Sequence, residues 1–409
     1  MNNFRIAYSF LLTGLLLVAS SRAAGQSVAP HANEPIGTVR QIYDGALFPD
    51  LQVNTFRNID RLFPTRLVAA GDRPFPLPAA KNELQNFRFV SGGREYDLYD
   101  FLSLNRVSGL LVVKAGTVVF ERYFLGNTRH TRWMSMSVVK SMTSTLIGMA
   151  IRDGHIRSLD DPLTDYLPLF EGTAYDGVTV EHLLQMASGV AWNETYTDAT
   201  SDRRAMLEAQ ISGQPGAILR LMAKLDRAAP PGNRWNYSTG ETQLAAALVA
   251  AAAGKPVAEY LSEKIWIPFG METDATWWLE SPDGLEIGGS GLSATLRDYA
   301  RFGLFMLGGG LVGGRPTLPE SWIRRATTAQ TIGGESVDYG YMWWPLAEGA
   351  YTAAGIFGQF VYVHPDSELV VALWSAQPKP VGMATIDEVD FFAALTRVLE
   401  ARAEGPTGD

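Results

Sequence analysis

The chain has 409 residues, of which 46% are hydrophobic and 19% are charged, with a formal net charge of −9 and no cysteine. This composition can bury a large core, so disordered and collagen-like classes are excluded. The negative charge argues against broad nucleic-acid binding. The absence of cysteine excludes disulfides, thiolate metal sites and a cysteine nucleophile.

The first 25 residues have the pattern of an export signal. Arg5 supplies a positive charge, residues 6–19 are apolar, and Ala23-Ala24-Gly25 offers a small-residue cleavage site. The apolar run is shorter than the roughly 18–20 residues that span a bilayer, although an uncleaved anchor stays open as an alternative. We therefore expect a bacterial periplasmic or secreted protein, without stable membrane insertion once the leader is removed.

The next part of the chain is expected to be irregular and then to enter a hairpin. Residues 26–78 show no sustained hydrophobic period, and we expect an irregular N-terminal wrap over 26–100. The β-branched runs at 107–113 and 117–124 flank a short glycine-containing turn and predict a β-hairpin. A helix is predicted from about residue 137 to 152.

The middle of the chain is predicted to be helical, and the C-terminal third is predicted to return to strands. Further helices are expected over 179–187, parts of 203–226, 241–253, 257–266, 295 to about 308, and 387–402. Strands are expected over 338–345, 351–354, 360–364 and 368–375.

An early hairpin and late strands predict that distant segments share one antiparallel sheet, which gives an α+β fold. The main domain would cover 101–403, with helices flanking the sheet and residues 404–409 as a tail. A helical subdomain of about residues 155–290 would be inserted between the two halves of the sheet.

The sequence Ser137-Val138-Val139-Lys140 stands at the start of a predicted helix, where residues three apart share one face. A serine hydroxyl needs a base, and a lysine can serve if burial lowers its pKa. The positive end of the helix disfavours an ammonium group, and its free N–H groups can meet a developing oxyanion. The alternative is an N-cap serine followed by a solvated lysine, and the pair alone does not decide.

Two later segments supply the context. Tyr237-Ser238-Thr239 lies on a loop entering a helix, where a phenol can point into a cleft, although a core tyrosine is the alternative. Residues 353–359 (AAGIFGQ) suggest a strand end followed by a glycine turn, where a backbone N–H could face the serine across the cleft.

The order of these three elements resembles the serine β-lactamase and penicillin-binding-protein superfamily. The similarity is to its class C-like branch, which includes family VIII carboxylesterases and 6-aminohexanoate-dimer hydrolases. Flanking stretches such as VTVEHLLQMASGVAWNE, GGSGLSATLRDYARFG and AAGIFGQFVYVHP share the resemblance, which covers roughly residues 105–380. It implies a β-lactamase/transpeptidase-like fold.

The resemblance also implies roles for individual residues. Ser137 would be the acylated nucleophile and Lys140 its general base or proton relay. Tyr237 would pass a proton to the leaving group, and the backbone N–H groups of Ser137 and Ile356 would form the oxyanion hole. A water molecule would then hydrolyse the acyl-enzyme, with Tyr237 or Lys140 as the base.

Two departures from the family pattern bear on the substrate. The Tyr-x-Asn motif has Thr239 in place of asparagine, and the Lys-Thr-Gly motif is Ala353-Ala354-Gly355. Two alanines cannot hold the carboxylate of a β-lactam or a peptidyl-D-alanine. We therefore expect a serine hydrolase (carboxylesterase or amidase) of small esters or linear amides. The alternatives are β-lactamase, D-Ala-peptidase or penicillin-binding activity, or a sensor of peptidoglycan or β-lactams that is acylated without turnover.

Gly355, Trp192 and Trp344 are candidate substrate-binding residues, with core packing as the alternative for the two indoles. Glu194 is expected on a solvated loop, with binding of a substrate amine as the alternative. No histidine pattern typical of a zinc protease, Gly-x-Ser-x-Gly elbow or dinucleotide fingerprint is present, so we expect no metal and no cofactor.

Overall fold

The computed structural model of the protein describes residues 31–382 and 386–403. The predicted leader at residues 1–25 and the predicted tail at 404–409 lie outside the described residues.

The helices occupy the following segments: α1 (Val39–Asp44), α2 (Pro49–Arg57), α3 (Leu98–Leu104), α4 (Val138–Arg152), α5 (Val180–Leu184), α6 (Asp202–Ile211), α7 (Ala217–Met222), α8 (Thr239–Ala253), α9 (Val257–Leu261), α10 (Leu296–Leu307), α11 (Trp322–Ala326) and α12 (Glu388–Ala403). A π-helical segment, Ser262–Gly270, continues α9.

The strands occupy the following segments: β1 (Thr65–Val68), β2 (Arg88–Ser91), β3 (Arg94–Asp97), β4 (Val107–Lys114), β5 (Thr117–Tyr123), β6 (Arg132–Met134), β7 (Ala275–Trp278), β8 (Leu292–Thr295), β9 (Leu311–Val312), β10 (Arg315–Pro316), β11 (Gln330–Ile332), β12 (Glu335–Val337), β13 (Trp344–Pro345), β14 (Tyr351–Gly355), β15 (Gln359–His364) and β16 (Leu369–Ser375).

One antiparallel sheet joins segments that are far apart along the chain. Its six strands follow the order β13-β14-β15-β16-β4-β5. The C-terminal strand β16 pairs with β4 of the early hairpin, so that Val370 lies opposite Val113. The predicted α+β fold, with distant segments in a shared antiparallel sheet, is therefore confirmed.

Helices cover this sheet on both faces, and its strands are apolar on both sides for that reason. Leu110 and Val112 of β4 belong to a core shared with α3 and α12, where the rings of Phe101 and Phe391 stack at 3.7 Å. Their neighbour Leu111 points to the opposite face and joins the larger core that contains α4 and α10.

The N-terminal region is more regular than the sequence predicted. The expectation of an irregular wrap over 26–100 is wrong for α1, α2 and β1–β3. Strand β1 pairs with β7 in a second antiparallel sheet of order β1-β7-β8-β6, and β2 pairs with β3. These elements are short, and tertiary contacts stabilise them. Ile42 and Phe56 are fully buried against the rest of the chain, although no long hydrophobic period marks them.

The predicted strand at 338–345 is also wrong for most of its length. Only Trp344–Pro345 pairs as a strand, while the preceding residues form an irregular segment fixed to α4. The hydroxyl groups of Ser141 and Ser144 donate to the carbonyl oxygens of Met342 and Tyr341, at 2.6 and 2.7 Å. These side-chain bonds replace the ladder that a strand would have made.

Among the described residues, no single helix is long and apolar enough to cross a membrane. The pair formed by α8 and the helical segment Val257–Gly270 passes the same test only jointly, with a bend of 76° between its two parts.

Helix α4 is buried almost throughout, and small side chains make its close packing feasible. Gly148 faces the indole of Trp322 at the start of α11. A Cβ added at Gly148 would lie 2.5 Å from that ring, well inside van der Waals contact.

We predict that Gly148→Ala lowers the free energy of unfolding by up to about 2 kcal/mol, because overpacking costs about 1–3 kcal/mol and alanine gains only roughly 1 kcal/mol over glycine in a helix. Urea denaturation measures the change. In a Trp322→Leu background the same substitution should become neutral or stabilising. An equal loss in both backgrounds would contradict the contact.

Candidate active site

Ser137 stands where β6 passes into α4. Met136, directly before it, is buried and adopts a left-handed backbone with φ of 41°, a sparsely populated conformation for a residue with a side chain. The Ser137 side chain makes no capping hydrogen bond to the helix, and Lys140 is only 1% exposed. The alternative of a capping serine with a solvated lysine is therefore wrong.

Ser137 opens into a cavity of about 850 Å³ between the six-stranded sheet and the helical part of the chain. The lining residues are Ser137, Glu194, Thr195, Tyr196, Thr197, Tyr237, Trp344, Ala354, Gly355, Ile356, Gly358, Phe360, Gln377, Pro380, Val381, Gly382 and Glu388. This volume is in the usual range for small-molecule sites.

The Lys140 amine lies one helical turn behind Ser137 and is removed from water. Its Nζ donates to Thr239 Oγ1 at 2.8 Å and to the carbonyl oxygen of Gly289 at 3.0 Å. Burial lowers the pKa of Lys140 to about 7, while the negative charge of Glu194 raises it and the positive charge of Arg203 lowers it further. A substantial fraction of Lys140 is therefore a neutral amine near pH 7.

Tyr237 reaches the same point from the loop before α8. Its phenol is hydrogen-bonded to Ser137, and its ring centroid lies 5.4 Å from Lys140 Nζ. The ring stacks on Trp344 at 5.9 Å with an interplanar angle of 27°. Burial and then the nearby charge of Glu194 raise the pKa of Tyr237, which keeps its proton at neutral pH.

The end of β14 approaches the start of α4 very closely. A Cβ added at Gly355 would lie 2.9 Å from the backbone nitrogen of Ser137 and 2.8 Å from the carbonyl oxygen of Ser135, so only glycine fits. Within the described part of the chain, neither the Ser137 N–H nor the Ile356 N–H has a hydrogen-bond acceptor. Two such free donors beside one cavity can bind an oxyanion.

A buried amide holds the turn that follows Gly355. Gln359 Nε2 donates to the carbonyl oxygens of Phe357 and Ser375, at 3.0 and 2.8 Å, and Gln359 Oε1 accepts from Trp133 Nε1 at 2.9 Å. Because all these groups are buried, the turn that carries Ile356 is fixed before any ligand arrives.

The described wall of the cavity offers no cation to an anionic ligand. Among the described residues that line it, none is lysine or arginine, and Glu194 and Glu388 carry carboxyl groups. Ala353 is fully buried and Ala354 lies at the wall, where neither can bind a carboxylate.

The candidate substrate-binding residues separate into two groups. Gly355 and Trp344 line the cavity, whereas Trp192 does not, and this corrects its proposed position. Trp192 is 8% exposed, and its indole N–H donates to Glu194, so it packs behind the wall.

Glu194 is the polar residue of the site that sequence reasoning missed. Its expected place on a solvated loop is wrong, since its side chain is 14% exposed and accepts hydrogen bonds from both the backbone N–H and the hydroxyl of Thr239. No local pattern marks it, because its partner lies 45 residues further along the chain.

Comparisons with known proteins show what the chain is similar to. A family model described as "Beta-lactamase" matches residues 105–394. A 6-aminohexanoate-dimer hydrolase from Paenarthrobacter ureafaciens is 28% identical over 343 residues, which cover 80% of this chain and 85% of that protein.

Two solved structures share the fold. A Bacillus anthracis protein assigned as a 6-aminohexanoate-dimer hydrolase superposes with a TM-score of 0.77 at 24% identity, covering 88% of this chain and 96% of that one. A family VIII carboxylesterase gives a TM-score of 0.57 at 18% identity, covering 73% of this chain and 94% of that one.

We predict that Lys140 titrates with a midpoint near pH 7, because burial lowers its pKa to about that value. NMR of lysine side chains labelled with ¹³C measures the midpoint, and Lys140→Arg assigns the signal by removing it.

Lys264 serves as the matched control, since its hydrogen bonds with Asp153 and Glu263 raise its pKa despite partial burial. If Lys140 keeps its ammonium form up to the same pH as Lys264, the prediction is wrong.

Proposed function

The chain belongs to the β-lactamase family of serine hydrolases, and we propose that it cleaves small esters or linear amides through an acyl intermediate on Ser137. The observation that carries the proposal is the placement of Ser137. It opens into the cavity at a helix start, one turn from a buried amine with a pKa of about 7. A base with a pKa near the working pH is the most effective at taking a proton.

Acylation would begin with transfer of the Ser137 proton to the neutral amine of Lys140. The Oγ atom attacks the carbonyl carbon of the substrate, and the resulting oxyanion accepts hydrogen bonds from the N–H groups of Ser137 and Ile356. Each such donor typically contributes about 10²–10³ in rate.

Collapse of the tetrahedral intermediate needs a proton on the leaving group. Tyr237, protonated at neutral pH and hydrogen-bonded to Ser137, would donate that proton to the departing alcohol or amine. The Lys140 ammonium then returns its proton to Tyr237, so both groups regain their starting forms. An amine leaving group depends most on this step, because it is expelled poorly without a proton.

Deacylation would repeat the sequence with water as the nucleophile. Lys140 is the better base for this step, since its pKa is about 7 while burial raises that of Tyr237. The carboxylic acid is released, and the proton held by Lys140 returns to Ser137 Oγ.

The walls of the cavity support esters and linear amides over β-lactams. Ala353 and Ala354 offer no ligand for a carboxylate, and the described lining residues include no cation. A lost charge-assisted hydrogen bond costs about 1.5–3 kcal/mol. The 6-aminohexanoate-dimer hydrolase from Paenarthrobacter ureafaciens, named for a dimer of an amino acid, supports including amides.

We also propose that the enzyme is exported and works in the periplasm or outside the cell on a small-molecule substrate. The support is the leader pattern of Arg5, the apolar residues 6–19 and Ala23-Ala24-Gly25.

A fluorophosphonate probe should label Ser137, and Ser137→Ala should abolish both labelling and hydrolysis of a p-nitrophenyl ester. Mass spectrometry locates the label. Ser141→Ala is the matched control, because Ser141 lies on the same helix with its hydroxyl bonded to Met342 and should leave labelling intact. Label on another serine, or one equivalent of product followed by no turnover, would overturn the proposed function.

The kcat/KM for a short-chain p-nitrophenyl ester should exceed that for nitrocefin by at least about 10²-fold. Losing one or two contacts of about 1.5–3 kcal/mol each to the β-lactam carboxylate accounts for a factor of that size. Steady-state kinetics on the purified enzyme measure both values. Comparable values for the two substrates would show that the alanine pair does not exclude β-lactams.

A further inference from the structure

A series of hydrogen bonds leads from Lys140 through Thr239 to the carboxylate of Glu194. Lys140 Nζ lies 2.8 Å from Thr239 Oγ1, and the Thr239 hydroxyl donates to Glu194 Oε1. The other oxygen of Glu194 accepts from the Thr239 N–H at 2.9 Å and from the indole N–H of Trp192.

The direction of each hydrogen bond in this series follows from the donors and acceptors available. An ionised carboxylate only accepts hydrogen bonds, so the single hydroxyl proton of Thr239 is committed to Glu194. Thr239 Oγ1 can then present only a lone pair to Lys140, and the carbonyl oxygen of Gly289 likewise only accepts. Lys140 must therefore donate to both partners.

A neutral amine has two N–H donors and one lone pair. Thr239 and Gly289 take both donors, which leaves the lone pair of Lys140 free for the Ser137 hydroxyl. If the Thr239 hydroxyl turned its proton toward Lys140, it would occupy that lone pair, and the base would be blocked.

We propose that Glu194 is a positioning residue for the reaction, which acts through Thr239 to keep the lone pair of Lys140 directed at Ser137. This inference rests on the proposed function, since it needs Lys140 to be the base. It adds a residue that touches neither the nucleophile nor the base directly.

The charged and titratable groups around Lys140 set the sign of the pH effect. Burial lowers its pKa, the charge of Glu194 raises it, and the charge of Arg203, whose Nε lies 4.0 Å from Glu194, lowers it. The phenol of Tyr237 faces the amine and stays neutral, as do the nearby phenols of Tyr196 and Tyr339 because burial raises their pKa values. Removing the charge of Glu194 should therefore move the acidic limb of the rate profile to lower pH.

The substitution Glu194→Gln keeps the shape of the side chain but replaces one hydrogen-bond acceptor of the carboxylate with a donor. Two donors point at Oε2 and one at Oε1, so the amide oxygen should take the place of Oε2 and the amide NH₂ that of Oε1. The NH₂ then donates to Thr239 Oγ1, and the Thr239 hydroxyl turns its proton to Lys140.

The experiment measures kcat/KM for a p-nitrophenyl ester from pH 5 to 9 on the full-length wild type and five variants. Glu194→Gln and Thr239→Val should each lower the plateau by about 10- to 100-fold, part of the ~10²–10⁴ that general-base catalysis supplies. In Glu194→Gln the acidic midpoint should also fall below that of the wild type. Thr239→Ser keeps the hydroxyl and should stay within about threefold of the wild type.

The double variant Glu194→Gln/Thr239→Val decides between indirect and direct action. Because Glu194 acts through Thr239, the double variant should be no slower than Thr239→Val alone. If Glu194→Gln lowers the rate equally in both backgrounds, or raises KM alone, Glu194 contacts the substrate and the inference is wrong. A plateau unchanged in Glu194→Gln also overturns it.

Ser137→Ala, carried through the same assay, separates this inference from the proposed function. Full activity in Ser137→Ala would overturn the proposed function itself. If Ser137→Ala is inactive but the Glu194 and Thr239 variants do not behave as expected, only the role of Glu194 is overturned. Thermal melts of all variants, with melting temperatures near the wild type, tie the rate changes to the site.

Discussion

The burial of one amine is the constraint on which the rest of the site depends. Lys140 lies in the core with two acceptors for its N–H groups, and its pKa of about 7 follows from the water it has lost. That position requires empty space beside it. A Cβ at Gly289 would lie 2.6 Å from Nζ, so glycine there leaves the room the amine needs. Small side chains along α4 also help to bury Lys140, because they let the helix pack closely in the core.

The fold brings the second half of the site to this amine. The six-stranded sheet places β14 next to β15 and joins both through β16 to the early hairpin, although more than 200 residues separate β4 from β14 along the chain. The end of β14 then meets the start of α4 at Gly355. The two backbones approach so closely that a Cβ added at Gly355 would lie 2.9 Å from the Ser137 nitrogen. The pair of free N–H groups results from this approach, and both groups belong to the backbone.

Features with a strong local pattern were predictable from the sequence, and features that depend on tertiary contacts were not. The hairpin at β4 and β5, the helix after Ser137 and the shared antiparallel sheet are confirmed, as is the resemblance to the β-lactamase superfamily. The helices of the N-terminal region are short and owe their stability to burial. Residues 338–343 have strand-like composition, but the hydroxyl groups of α4 bind their backbone instead. Glu194 carries no signal, because only the folded chain brings it to Thr239.

The two groups proposed to transfer protons, Lys140 and Tyr237, lie in one site, and the same desolvation shifts their pKa values in opposite directions. Burial disfavours charge, so it lowers the pKa of the Lys140 ammonium and raises that of the Tyr237 phenol. The result is a neutral base beside a neutral acid, with no cation on the described cavity wall. Under the proposed function, the lack of a cation on this wall would disfavour anionic substrates. The site also needs a device that keeps the neutral amine correctly oriented, since no charge pair holds it. The carboxylate of Glu194, one hydroxyl removed from the amine, can orient it without forming a direct ion pair that would keep Lys140 protonated.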